Sequence, residues 1–388
     1  MASHKLLVDI HTHVYLPRYA AFLRSRTSVP RIFSRTSPQG KLEDRLLILD
    51  NEPSGGRPIG AQYWDREEKL KFMDKHGIDV SIVSSANPWL DFLPASTAHK
   101  LAGELNDDLE TFCATSPSLT TTLKRLYGFG LLPLVPEITV TSLLETVEQI
   151  SQLPHLKGII MGTRGVGKGL DDAALDPVWK AISEAGLVVF LHPHYGVDGK
   201  AWGEKSNGHV LPLALGFPFE TTIATTRLIL SGVFDRHPDL RVLLAHSGGA
   251  LPQLSSRLAS CIDHDPEVAS RLAHDARYYM SKLYFDAVAY GSEELGFVSD
   301  VIGRAEAFSA RASSAAASKN VGTNKRKIGS RRMVFGTDHP FFPPLSETEK
   351  WKSVVENLEA IDGVDGWEEA EKDARNETFL HAADTIRG

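Results

Sequence analysis

Cysteine is nearly absent from this 388-residue chain: only Cys113 and Cys261 occur, far apart and at no metal-binding spacing. A disulfide-stapled secreted module is therefore not expected, and a reducing compartment is. Basic charge is also in short supply. Lys and Arg number 42 against 49 Asp and Glu, a formal net charge of −7, and the one basic cluster, Lys319 to Arg332, falls in Ala/Ser-rich sequence. No nucleic-acid surface is expected from this balance. Nowhere do 18 apolar residues run together, and Met1 to Ile10 offers only Leu6 to Val8 as an apolar stretch. Neither a membrane span nor a signal peptide is expected, and the chain reads as cytoplasmic.

What the chain does contain is a repeated alternation. Eight short apolar runs rich in β-formers recur: Leu6 to Ile10, Val80 to Ser84, Tyr127 to Leu132, Leu156 to Met161, Leu187 to Leu191, Arg241 to Ala245, Leu283 to Ala287 and Met333 to Phe335. Several lack polar alternation, as strands of a parallel sheet buried on both faces do. Helical signals lie between them. Asp65 with Glu68 reads as a capping box and Gly77 as the end of that helix; Leu101, Leu105, Leu109 and Phe112 repeat at helical spacing. Eight strands alternating with helices predict a single (β/α)8 TIM barrel over residues 1–388, with an open doubly wound sheet as the weaker alternative. Two insertions interrupt the repeat. Residues 28–62 follow the first strand, at the barrel face where active sites form, and are expected to cover the site. Residues 305–332 precede the eighth strand and read as a flexible low-complexity insertion. The segment from Glu347 to Gly388 reads as a helical tail.

Of fifteen histidines, six fall at the expected C-terminal ends of strands: His11 and His13 in VDIHTH, His192 and His194 in LHPH, His246 in AHSGG and His339 in TDHP. An extended strand points His11 and His13 to one side, as a chelating pair requires. With His192 and Asp338 they make three nitrogens and one oxygen, a set suited to one zinc or manganese ion with a position left open. His76, His99, His155 and His237 read as ordinary structural residues.

The order of these residues resembles the amidohydrolase superfamily. The flanking blocks LHPHYG, GFPFETTIA, GVFDRHPDLRVLLAHSGGALP and GTDHPFFPP are similar to its decarboxylase branch, typified by aminocarboxymuconate-semialdehyde decarboxylase. ANPWLDF, GVGKGLDD, HPHYG and DHPFFPP resemble the fungal isoorotate decarboxylases of that branch most. The resemblance implies an amidohydrolase-type barrel and a single Zn2+, since Lys157 sits at the wrong end of its strand to bridge two ions. It also implies a metal-dependent carboxy-lyase acting on a small aromatic or heteroaromatic carboxylic acid, uracil-5-carboxylate above others. Asp338 and His246 are the candidates for proton transfer, the resemblance favouring Asp338. Arg57, Asn87 and Phe341 match substrate-holding positions. A guanidinium pairs with carboxylates, an amide reads ring N–H and C=O groups, and an aromatic ring stacks on a base. Asp286 is expected beside His246. Arg257, in HSGGALPQLSSR, matches an arginine that reaches a neighbouring subunit, which implies a homodimer or dimer of dimers. Salicylate-type or aminocarboxymuconate decarboxylation, or hydrolysis of a lactone on the same barrel, stand as alternatives.

Overall fold

The computed structural model describes residues 6–367 apart from 38–39, 51, 53–54, 167–168, 198, 204, 206, 310–324, 345 and 347–348. Its strands are β1 Val8–Val14, β2 Arg31–Thr36, β3 Leu42–Leu47, β4 Arg57–Ile59, β5 Val80–Ser85, β6 Leu126–Leu131, β7 Leu156–Gly162, β8 Val188–His192, β9 Arg241–Leu244, β10 Leu283–Asp286 and β11 Met333–Val334. Eight of them form one parallel sheet in the order β1-β5-β6-β7-β8-β9-β10-β11. The sheet closes on itself. Ile10 N–H bonds to Phe335 O, Asp338 N–H to His11 O and His13 N–H to His339 O, at 3.1, 2.7 and 2.7 Å. Every residue of β1, β6, β7 and β8 is buried, the physical reason that these runs carry no polar alternation. The barrel expected from the sequence is thus present, with all eight strands within a few residues of their expected limits.

One limit matters for the site. β1 does not stop at Ile10 but runs to Val14, because its ladder with β5 resumes after an irregularity between Asp9 and Thr12 and pairs His13 with Ser84. Both histidines of the HxH pair therefore lie within a strand rather than in the loop after it.

The 28–62 insertion contains a three-stranded antiparallel sheet, β2-β3-β4, for which no strands are expected from the sequence. Ile32 and Leu46 are buried on it, and Leu46 pairs with Arg57 across β3 and β4. The Asp65 N-cap accepts from Glu67 N–H and Gly77 ends the helix in the left-handed region, while Glu68 pairs with Lys71 at 2.7 Å rather than completing a capping box.

The middle of the low-complexity segment, 310–324, lies outside the described residues, as does the tail beyond 367. The basic flank of that segment is a short helix, Lys325–Ser330, with Arg326 held by Asp300 at 2.7 Å. Arg326 thereby ties this flank to the Ser292–Gly303 helix. Among the described residues no helix is long and apolar enough to cross a membrane.

Candidate active site

The HxH pair converges. His11 Nε2 and His13 Nε2 lie 3.1 Å apart, and each ring is anchored by its other nitrogen. His11 Nδ1–H donates to Asp286 Oδ2 at 2.6 Å, and His13 Nδ1 meets Ser84 Oγ at 3.0 Å. Asp286 only accepts, so it fixes the His11 tautomer with the Nε2 lone pair facing inward. His192, the last residue of β8, spends Nδ1 on Pro193 O at 2.8 Å, leaving a buried Nε2 without a hydrogen-bond partner.

Asp338 completes the group. Its Oδ1 lies 3.3 Å from His11 Nε2 and 3.4 Å from His13 Nε2, and its Oδ2 lies 3.6 Å from His246 Nε2. Donor atoms of His11, His192, His246 and Asp338 all fall within 4.8 Å of one another. Nitrogen and oxygen lone pairs gathered at 3.1–3.4 Å match the spacing of ligands sharing one ion at about 2.1 Å, and the buried, unpartnered His192 Nε2 and Asp338 Oδ1 fit the same ion.

Backbone geometry serves this convergence. Asp338, His246 and Ser247 all adopt positive φ, at 55°, 53° and 51°, a conformation costly for residues with a Cβ and sustained by local bonds. Asp286 supplies them for the turn after β9, accepting His246 N–H on Oδ2 at 2.9 Å and Ser247 N–H on Oδ1 at 2.8 Å. Asp286 thus lies beside His246, as expected, but bonds its backbone, and it also holds the His11 side chain, which the sequence did not suggest. At Gly249 (φ 62°) a Cβ would stand 2.2 Å from Pro218 O, so only glycine lets this turn approach the Phe217–Leu230 helix.

The electrostatics favour a cation among these groups. Burial opposes charge on His11, but Asp338 and Asp286 outweigh it and push its pKa up to about 10. Burial takes His13 down to about 4 and, with His13 and His11 beside it, holds His192 well below the usual range. Burial would raise the Asp338 carboxyl, yet the charge of His11 and the close approach of the His11, His13 and His246 imidazoles keep it well below. His13 and His192 are thereby neutral and Asp338 ionised, the metal-binding forms, while at His11 a bound ion would replace the proton that the two carboxylates attract.

The three residues matched to substrate positions come together beside this group. Arg57, on β4, donates from Nη2 to Asn87 Oδ1 at 2.9 Å and to Asn87 O at 3.3 Å. Asn87 Nδ2 donates to His194 O at 2.5 Å. The Arg57 guanidinium lies 5.0 Å from the centre of the Phe341 ring, which meets His13 edge-on at 5.6 Å. Arg257 is not among them; it is exposed on the Leu251–Asp263 helix.

His339 turns away from the group, buried against Phe72 with ring centres 3.7 Å apart and Nδ1 2.5 Å from Lys69 Nζ. The histidines read as structural have ordinary partners: His76 with Phe72 O, His155 with Glu110, His237 with Asp176 and His99 with Glu145.

Two acids and a lysine escaped the sequence reading. Asp9 accepts from Thr337 Oγ1 at 2.7 Å and from His11 N–H at 3.3 Å. Lys69, wholly buried, donates to Thr12 Oγ1 at 2.6 Å. Glu220 reaches the loop after β8 from the Phe217–Leu230 helix. The available signals were an Asp inside an apolar strand and a Lys in register with Phe72, Met73 and His76.

The Amidohydrolase family model matches residues 8–374. The chain belongs to that family. The apo crystal structure of the Metarhizium anisopliae IDCase (isoorotate decarboxylase) is 38% identical, covers 100% of this chain and 99% of its own, and superposes with a TM-score of 0.82. A 2-amino-3-carboxymuconate-6-semialdehyde decarboxylase from Dictyostelium discoideum is 27% identical over 88% of this chain and 83% of its own. A dihydroxybenzoic acid decarboxylase from Polaromonas sp. JS666, solved with bound manganese and 2-nitroresorcinol, shares the fold at 18% identity and a TM-score of 0.64, covering 99% of this chain and 98% of its own. This chain is a metal-dependent decarboxylase of the amidohydrolase superfamily.

Proposed function

We propose that this decarboxylase converts uracil-5-carboxylate to uracil and CO2 in pyrimidine salvage, with one zinc held by His11, His13, His192 and Asp338. The observation that carries the substrate is the Arg57–Asn87–Phe341 cluster beside the metal-binding group, on a chain similar over its whole length to IDCase. When bound, the ion supplies a Lewis acid that orients and polarises the acid's carboxylate and neighbouring carbonyl.

The protein's own residues divide the remaining work. Arg57 offers positive charge to an anionic substrate, and Phe341 offers an aromatic face. Asn87 has one oxygen lone pair committed to Arg57 and one N–H committed to His194 O. One acceptor site and one donor remain, the complement of a ring edge bearing N–H beside C=O. The two oxygens of Asp338 face different partners. Oδ1 belongs with His11 and His13, while Oδ2, on the His246 side, relays a proton from His246 to C5 as the bond to the carboxylate carbon breaks and CO2 departs. The His246 side chain is 17% exposed, so it is placed to return a proton from solvent to Asp338.

Leu215, Phe219 and Ile223, each four residues from the next, are all exposed along one helical run. Exposed apolar side chains at that spacing suit an isologous helix contact, and we assign the protein a homodimeric state, or a dimer of dimers, with Arg257 approaching the partner's pocket. Loss of activity on dilution below the dimer dissociation constant, and its recovery on concentration, tests this. The two unpaired cysteines, Cys113 and Cys261, accord with a cytoplasmic location.

The deciding experiment follows CO2 release from uracil-5-carboxylate, 6-methylsalicylate and 2,3-dihydroxybenzoate. Fastest turnover of uracil-5-carboxylate, with uracil as product, is expected. Faster turnover of either benzoate moves the assignment to a salicylate-type decarboxylase.

A further inference from the structure

Glu220 is a buried carboxylate with no part in the chemistry described above. Its Oε2 accepts three consecutive backbone N–H groups, from His194 at 3.1 Å, Tyr195 at 3.2 Å and Gly196 at 2.5 Å. Its Oε1 accepts the Thr163 hydroxyl at 2.5 Å, with Arg164 Nε at 3.6 Å. Successive N–H groups converging on one point form an anion-binding nest, and here the anion is a side chain of the neighbouring helix. Burying a carboxylate is costly unless it is this fully bonded, so the loop and the carboxylate hold each other in one arrangement.

The consequence runs through a single rigid unit. Tyr195 N–H and His194 C=O belong to one planar peptide and point in opposite directions. The N–H ends on Glu220, and the C=O accepts from Asn87 Nδ2 at 2.5 Å. Rotating the Asn87 amide by half a turn would set its oxygen against the His194 carbonyl and its NH2 against Arg57, so the amide has one orientation.

We propose that Glu220 is a positioning residue. Through the His194–Tyr195 peptide it sets the Asn87 amide, and thereby the preference for an acid whose ring carries N–H beside C=O. This rests on the substrate reading above.

The test is a double-mutant cycle on the purified, metal-loaded enzyme, using Glu220→Gln, Asn87→Ala and both together. Each form is assayed with uracil-5-carboxylate and 6-methylsalicylate, and metal content is measured alongside. Glu220→Gln keeps the shape but replaces a charged acceptor with a neutral one. The expected result is a roughly tenfold fall in the ratio of kcat/KM values, arising mainly in KM for uracil-5-carboxylate, with one metal per chain retained. In the Asn87→Ala background the same change leaves the ratio unaltered. An equal loss on both acids, or the same loss in both backgrounds, overturns the inference and leaves the substrate reading standing. No turnover of uracil-5-carboxylate by the wild type overturns both. Should Glu220→Gln fail to fold, Thr163→Val removes one donor from Glu220, and a smaller shift of the ratio in the same direction is expected; no shift overturns the proposal.

Discussion

Asp286 and His11, 275 residues apart in sequence, meet in the barrel interior at 2.6 Å, and both are fully buried. The carboxylate keeps the hydrogen on His11 Nδ1, and the same oxygen anchors the turn bearing His246. Such an outer partner orients a metal-binding imidazole and raises its basicity. Asp286→Asn should therefore weaken metal binding by roughly 10- to 100-fold, measured by competition with a chromogenic chelator. An unchanged affinity would show that His11 is oriented by packing alone.

Purified protein should hold about one metal ion per chain. His11→Ala and His192→Ala should lose both metal and activity. His246→Ala should retain the metal and lose turnover by a factor on the order of 10² or more, as should Asp338→Asn in its turnover, because both are engaged in proton transfer. Metal analysis beside kinetics separates the roles: a metal-free His246→Ala protein would place His246 among the ligands, where its proximity to His11, His192 and Asp338 also permits it.

Lys69 gives stability an unusual dependence on pH. Burial pushes its pKa down to about 7 from the ordinary 10.5, against the pull of Asp9, and burial raises Asp9 to about 6. Between about pH 7 and 10 the unfolded chain then binds more protons at this lysine than the folded one, so its contribution to stability rises with pH in that window. Lys69→Met deletes the contribution and deprives Asp9 of its cation, which raises Asp9 further and acts in the same direction. The stability difference, wild type minus variant, should grow by up to about 1.4 kcal/mol per pH unit from pH 7 to 9. Urea unfolding at constant ionic strength measures it, and a difference independent of pH would mean that Lys69 titrates normally.

The barrel was readable in the sequence because two-sided burial writes itself as uninterrupted apolar runs, as in Leu156–Gly162 and Val188–His192. The HxH pair was readable because a strand's period of two puts His11 and His13 on one side. The β2–β3–β4 sheet was not, since one buried face per strand supports only scattered apolar positions such as Ile32 and Leu46 among charges. Lys69, Glu220 and the Asp286–His11 contact were hidden for a different reason. Their partners lie 24 to 275 residues away, and no local spacing encodes contacts that only barrel closure and loop packing create.

Asn87 carries the last prediction. Uracil-5-carboxylate presents ring N–H and C=O groups to the donor and acceptor left on the amide, whereas salicylate-type acids offer a hydroxyl beside the carboxylate and no ring N–H. A buried polar group left unpaired costs on the order of 1 to 3 kcal/mol, about 5- to 150-fold in selectivity at 1.4 kcal/mol per tenfold. Asn87→Ala should narrow the preference for uracil-5-carboxylate over 6-methylsalicylate by about that range, the loss falling on the uracil acid. The ratio of kcat/KM values is the measurement to use. Removing Asn87 also strips partners from Arg57 and the His194 carbonyl, and damage of that kind falls on both acids alike and cancels in the ratio. A variant that loses activity without changing the ratio would assign Asn87 to the scaffold and place substrate discrimination elsewhere in the pocket.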